Sequence, residues 1–212
     1  RRRHTRLQGD WSSDVCSSDL TNLATQIFSA DNKVIGKFYY NDNRTPLNYE
    51  EIPKNLIDAL IATEDERFYD HSGIDLRSTL RAVVYLGEKG GASTVSQQLA
   101  RQLFTGVRSR NTLDAVIQKI KEWVIAVQLE RRYAKKEILT MYLNLYDFNY
   151  NADGLRSAAN IYFSKEPSEL LLEESAMLVG MLKNSSLYNP IRRPELVTSR
   201  RNIVFQQMLR NE

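Results

Sequence analysis

The chain has 212 residues, 42% of them hydrophobic and 26% charged, which suits one globular domain with a sizeable core. Twenty-nine Lys and Arg against 26 Asp and Glu leave a formal charge of +3, too little to argue for nucleic acid as a partner. No run of 18 apolar residues occurs, so the chain as given contains no membrane-spanning helix, and no signal peptide is visible.

Residues 9–20, GDWSSDVCSSDL, alternate small polar and acidic types without a period and resemble one reading frame of a common sequencing-library adapter. Residues 1–20 are therefore set aside as a non-native, disordered scar. Without their four Arg and three Asp the net charge is +2. Cys16, the only cysteine, goes with them, so the remainder offers no disulfide and no cysteine-based metal site. His4 goes too, and His71 alone cannot form a multi-histidine metal site.

Residues 21–40 read as a β-hairpin, with strands over 24–29 and 34–40 around Ala30, Asp31 and Asn32. From Pro53 the period becomes helical: proline suits a first turn, and Leu56, Ile57, Leu60 and Ile61 recur at helical spacing over residues 53–63. Continuing the count brings Glu64, Phe68 and His71 onto the same stripe. A carboxylate left among apolar neighbours has its charged form disfavoured, which raises its pKa toward the range useful for proton transfer. A helix ending at Thr63, with the acids in a solvated turn, is the other reading.

A second helix is expected over residues 76–86, carried by Leu76, Leu80, Val83 and Val84 and broken by GEKGG at 87–91. Residues 92–104 follow as a helix with Ser93 or Thr94 as N-cap and Val95, Leu99 and Leu103 on its core face. Such a start, flanked by hydroxyls and glycines, is either an ordinary cap or a seat for an anionic phosphate. Beyond a basic loop at 106–111, residues 112–130 form a long amphipathic helix with the stripe Leu113, Val116, Ile117, Ile120, Val124 and Val127. Lys119 and Glu122 fall on the opposite side beside Ala115 and Ala126, as a solvated pair or as a face with room for a ligand. Residues 133–144 present Ile138, Leu139, Tyr142 and Leu143 to the core, and further helices cover 158–163, 170–182 and 195–209.

Five stretches carry a more specific pattern. They are E-D-x-x-F-x-x-H-x-G-x-D (Glu64, Asp65, Phe68, His71, Gly73, Asp75), G-x-S-T-x-x-Q-Q (Gly91, Ser93, Thr94, Gln97, Gln98), and Lys119 with Glu122. The fourth is K-x-E-I-L-x-x-Y-L-N (Lys135, Glu137, Ile138, Leu139, Tyr142, Asn144) and the fifth R-R-x-x-V (Arg200, Arg201, Val204). In this order they resemble the motifs of the peptidoglycan glycosyltransferase domain of class A penicillin-binding proteins, glycosyltransferase family 51. The chain departs from that pattern at Gln118, where Arg is expected before Lys119, at Ser96 for Thr, and at Arg101 and Gln102 for Lys and Asn. It departs again in the loop 148–154, which lacks the usual glycines. Two adjacent arginines at 200 and 201 imply packing or a buried ion pair at the end of the pattern.

The resemblance implies a mainly α, lysozyme-like fold with a small N-terminal β-hairpin and a membrane-facing lobe that includes residues 105–111. Residues 21–212 would be the glycosyltransferase domain, without its N-terminal membrane anchor and C-terminal transpeptidase domain. No S-x-x-K motif is present, so no penicillin binding is expected. The activity implied is polymerisation of lipid II into glycan strands by inverting glycosyl transfer, at the extracytoplasmic face of the bacterial inner membrane. Glu64 would be the general base and Glu122 the second catalytic carboxylate, with Lys119 and Arg101 toward the pyrophosphate. Ser93, Thr94, Gln97 and Gln98 would position the donor, with Gly91, Phe68 and Lys135 also on the substrate side and Asp65 and His71 organising the first motif. No cofactor is required, and a divalent ion, Mg or Mn, beside Glu122 is the option left open. The partners implied are lipid II, the lipid-linked glycan strand, the membrane surface and other cell-wall synthesis proteins, with no nucleic acid. Two alternatives stand: a lysozyme-type enzyme that cleaves peptidoglycan, against which Arg101, Lys119 and Lys135 speak, and a non-enzymatic module that binds lipid II or the cell wall.

Overall fold

A computed structural model describes residues 25–30, 34–38, 43–84, 93–106, 109 and 111–211. The adapter-like segment, the turn residues Asp31 and Asn32, the GEKGG break and Gly91 lie outside the described residues. Strands β1 (Thr25–Phe28) and β2 (Val34–Phe38) pair antiparallel, with Thr25 opposite Phe38 and a register shift between Ile27 and Phe28. A 3₁₀ turn at Tyr49–Glu51 then leads into helices that make up nearly all of the rest.

Those helices are α1 (Lys54–Glu64), α2 (Leu76–Val84), α3 (Val95–Ala100), α4 (Thr112–Arg132), α5 (Lys135–Leu145), α6 (Gly154–Phe163), α7 (Leu172–Leu182) and α8 (Pro194–Arg210). α3 runs on into a π-helical turn, Arg101–Thr105, closed by Gly106 at φ 61°. α1, α7 and α8 pack on one another, and α3 packs against α4 and α5. The core is built from the apolar stripes read in the sequence for α1, α3 and α5: Leu56, Leu60, Val95, Leu99, Ile138, Leu139, Tyr142 and Leu143 are all essentially inaccessible. Tyr146 joins this core to α7, its hydroxyl donating to the carbonyls of Met181 and Leu182 at 3.0 and 2.9 Å. Asn144 ties the 43–48 segment to α5 by donating to the Leu47 carbonyl and accepting from the Leu47 amide.

The helix expected over 53–63 forms, its continuation through His71 does not, and the stripe expected on α4 is turned outward. α1 stops at Glu64, and the chain turns at Asp65 (φ −157°), so Phe68 and His71 do not continue the α1 helix. The apolar stripe expected on α4 and the start of α2 do not face the core: Leu76 is 76% exposed, Leu113 74%, and Leu80, Val116, Ile117, Ile120 and Val124 are exposed as well. The buried residues of α4 are instead Glu122, Ala126 and Leu129.

Close backbone approach explains the inversion. Gly73 has φ +94°, and a Cβ built there would lie 2.7 Å from the carbonyl carbon of Ala126 and 2.8 Å from the amide nitrogen of Val127. The loop between α1 and α2 therefore rests directly on the α4 backbone, and only a face of small side chains admits it. At Ala126, where the loop touches, size rather than hydrophobicity decides what can be covered. Gly73→Ala is expected to combine a left-handed backbone with a collision against main chain, destabilising by on the order of 3 kcal/mol. Thermal unfolding of the variant checks this, and an unchanged midpoint contradicts it.

Candidate active site

The loop 65–75 is organised by two carboxylates. Asp75 caps α2, accepting the amides of Arg77 and Ser78 at 3.0 and 3.1 Å, and receives the Arg67 guanidinium on both oxygens. Asp65 is buried; it accepts the Val95 amide at 2.9 Å and lies 3.0 Å from His71 Nε2. His71 Nδ1 accepts the Gly73 amide at 3.2 Å, so the ring proton sits on Nε2 and points at Asp65. Phe68, fully enclosed, packs edge-on against Tyr69 and His71 and lies 4.3 Å beneath the Lys135 ammonium.

The segment 93–98 receives this loop. Thr94 caps α3 by accepting the Gln97 amide, and its hydroxyl donates to the Gly73 carbonyl at 2.7 Å, where the Gln97 side chain also donates at 3.2 Å. Ser96 donates to Glu130, and Lys135 bridges Glu130 at 2.7 Å and the His71 carbonyl at 2.7 Å. Thr94, Gln97 and Phe68, expected on the substrate side, and Asp65, expected to organise the first motif, hold the loop against α3 and α5 together with Lys135, also expected on the substrate side. Burial of the first four, at 6% exposure or less, is the physical reason.

Both candidate carboxylates border the same short segment. At its start, Ser93 accepts from Lys119 Nζ at 2.9 Å, and Lys119 is 3.0 Å from Glu122. At its end, Gln98 Nε2 donates to Glu64 Oε2 at 3.1 Å. Glu64 Oε1 meets buried Arg200 of α8 at 3.3 Å, a partly buried ion pair in line with the pairing the adjacent arginines implied. Polar donors, rather than the apolar wall expected from the α1 stripe, thus surround Glu64. α7 makes room for Arg200 at Gly180, where a Cβ would stand 3.1 Å from the Arg200 Cγ. Arg201 stacks over Phe205 and takes no part. Arg101 is exposed in the π turn. Gln118, in the place of the expected arginine, donates to the Thr105 carbonyl and accepts the Ser109 amide, fastening the 105–109 loop to α4.

A carboxylate held by an amide and a guanidinium, with a lysine–glutamate pair at the other end of one short segment, has the parts for moving a proton while neutralising an anion. A sequence profile for the family described as "Transglycosylase" matches residues 31–209. The chain belongs to that family. Penicillin-binding protein 1A of Vibrio cholerae is 42% identical over 206 residues, covering 91% of this chain and 24% of that protein. The Escherichia coli protein of the same name is 39% identical over 191 residues, covering 88% and 22%. The chain thus spans about a quarter of the length of the curated relatives it matches. A crystal structure of penicillin-binding protein 1A from Haemophilus influenzae aligns with 88% of the chain and 18% of its own, at 27% identity and a TM-score of 0.47.

Sequence reasoning missed Glu130 and did not see that Tyr142 reaches Glu64's surroundings; its hydroxyl donates to Gln98 Oε1 at 2.9 Å. A tyrosine on an otherwise aliphatic core face was the available signal, because a buried hydroxyl needs a partner.

Burial works against ionisation of Asp75, but hydrogen bonds from Arg67 and Ser78 outweigh it and hold the carboxyl at about 2, below its ordinary 3.8. A lowered folded-state value means stabilisation that is complete above the ordinary value and lost as pH falls through about 2. Because Arg67 is 31% exposed, solvent screens part of this, leaving roughly 1–2 kcal/mol. Asp75→Asn should lower the unfolding midpoint at pH 7 and flatten its decline between pH 4 and 2; a parallel decline in both proteins contradicts the assignment.

Proposed function

We propose that this chain polymerises lipid II into glycan strands for the bacterial cell wall, with Glu64 as the general base. It is a peptidoglycan glycosyltransferase. The observation that carries the assignment of the base is the placement of Glu64 where α1, α3 and α8 meet, one oxygen on Gln98 and the other on Arg200. As the acceptor 4-hydroxyl attacks the anomeric carbon, its proton passes to Glu64. The bond to the pyrophosphate breaks on the opposite face, inverting that carbon and releasing undecaprenyl pyrophosphate.

Negative charge grows on the leaving pyrophosphate, and Lys119 with exposed Arg101 supplies fixed positive charge for it. Glu122, buried beside Lys119, orients that ammonium. Around Glu122 the described residues include no group of three acidic, histidine or cysteine side chains able to hold a metal, and Lys119 already neutralises it. The residues do not fit a divalent ion by themselves, and no step runs through one.

The described helices include none long and apolar enough to cross a membrane. The apolar faces of α2 and α4, together with Phe104 at 41% exposure, support a membrane-facing lobe in an otherwise lysozyme-like helical domain, working at the extracytoplasmic surface of the inner membrane. Lipid II, the lipid-linked strand and other cell-wall synthesis proteins are its partners in this reading.

Incubation of the purified protein with labelled lipid II in detergent should yield glycan strands, and Glu64→Gln should slow their formation at least about 100-fold. Strands made by Glu64→Gln at the parental rate exclude Glu64 as the base, and lipid II binding without turnover by the parent makes the chain a binding module. Replacing Leu113, Ile117 and Ile120 together by serine should reduce sedimentation with anionic phospholipid vesicles, which unchanged sedimentation would contradict.

A further inference from the structure

We infer that Tyr142 is a positioning residue for the base, acting through the side-chain amide of Gln98, an inference that rests on the assignment of Glu64 as that base. Three side chains form a line from α5 through α3 to α1: the Tyr142 hydroxyl lies 2.9 Å from Gln98 Oε1, and Gln98 Nε2 lies 3.1 Å from Glu64 Oε2. The direction of each hydrogen bond is fixed by chemistry. An ionised carboxylate only accepts, so the amide must turn its nitrogen to Glu64, and its oxygen then faces the tyrosine, which must donate.

Tyr142 is suited to that task. It is completely buried, and burial first, with the nearby Glu64 charge adding to it, pushes its pKa well above the ordinary value, so the hydroxyl keeps its proton. Core packing alone would be served by phenylalanine, which fills the same space without a hydroxyl to satisfy. The hydroxyl therefore does what the ring does not: it locks the rotation of the Gln98 amide. A flipped amide would set its oxygen against Glu64 Oε2, two acceptors facing each other without a proton between them.

The consequence falls on the remaining lone pairs of Glu64. Arg200 occupies Oε1 from α8 and Gln98 occupies Oε2 from α3, which stops the carboxylate from turning about its own axis. A base held in this way presents its open lone pairs in one direction, and transfer from the acceptor hydroxyl depends on that alignment more than on affinity. Loss of the lock should therefore appear in kcat rather than in KM.

The test is a double-mutant cycle on initial rates of lipid II polymerisation. Tyr142→Phe should lower kcat about fivefold to tenfold, the worth of one hydrogen bond to a functional group, with KM within about twofold. Gln98→Met, at a half-buried position where it keeps the length and removes the donor, should lower kcat at least as much with KM likewise steady. Adding Tyr142→Phe to Gln98→Met should produce no further loss, because the hydroxyl then has no amide to orient. A Tyr142→Phe loss that persists undiminished in the Gln98→Met background makes the tyrosine a packing residue only and overturns the inference. So does full activity of Gln98→Met, which decides the matter even where Tyr142→Phe fails to fold. Glu64→Gln run alongside separates the two levels: if it keeps the parental rate the base assignment itself fails, and if it is inactive while the other variants keep their rates, the positioning role alone fails.

Discussion

The carboxylate of Asp65 on the amide of Val95 is the joint on which the rest of the site depends. It links the end of α1 to the start of α3 in a buried setting, where a lost partner would leave a charge and an amide both unsatisfied. Once that joint is made, six consecutive residues serve five different neighbours. Ser93 takes Lys119, Thr94 and Gln97 hold Gly73, the Val95 amide holds Asp65, Ser96 reaches Glu130, and Gln98 reaches Glu64. A short segment with so many partners has one conformation available to it. That rigidity sets two chemically distinct carboxylates at either end of a single piece of backbone.

Much of this was legible in the sequence, and the failures share a cause. The apolar periods of α1, α3 and α5 located the core correctly because those helices are covered by other side chains, the situation in which hydrophobic pattern and burial coincide. The pattern failed on α4, where the covering element is a stretch of backbone lying against Ala126, and Gly73 rather than any large residue decides the contact. Within the motifs, residue types identified a site but not the direction in which each side chain points. The resemblance implied that Thr94 and Gln97 position the donor. In the fold the same groups satisfy a carbonyl on a loop more than twenty residues upstream. Glu130 went unread because its meaning lies in Ser96 and Lys135, which the sequence places far from one another's hydrogen-bonding range.

The molecule also reverses the usual distribution of polar and apolar groups in one part of its volume. Charged residues lie inward as pairs, with Arg200 on Glu64, Lys119 on Glu122 and Lys135 on Glu130. Leu76 and Leu80 of α2 and Leu113, Val116, Ile117, Ile120 and Val124 of α4 lie outward. Each charge in these three pairs has an opposite charge within contact, which is the condition for tolerating ions away from water. The arrangement leaves a polar interior beside an apolar exterior, a geometry suited to a ligand that is polar at one end and hydrocarbon at the other.

Glu64 and Arg200 are 136 residues apart in the chain. The carboxylate ends α1 and its counter-charge lies on α8, so synthesis delivers one long before the other. α8 packs against α1 and α7 and brings the guanidinium to Glu64 Oε1. α8 therefore completes the site: without it the chain would carry nearly all the motif residues and still lack the charge that fixes Glu64 in place.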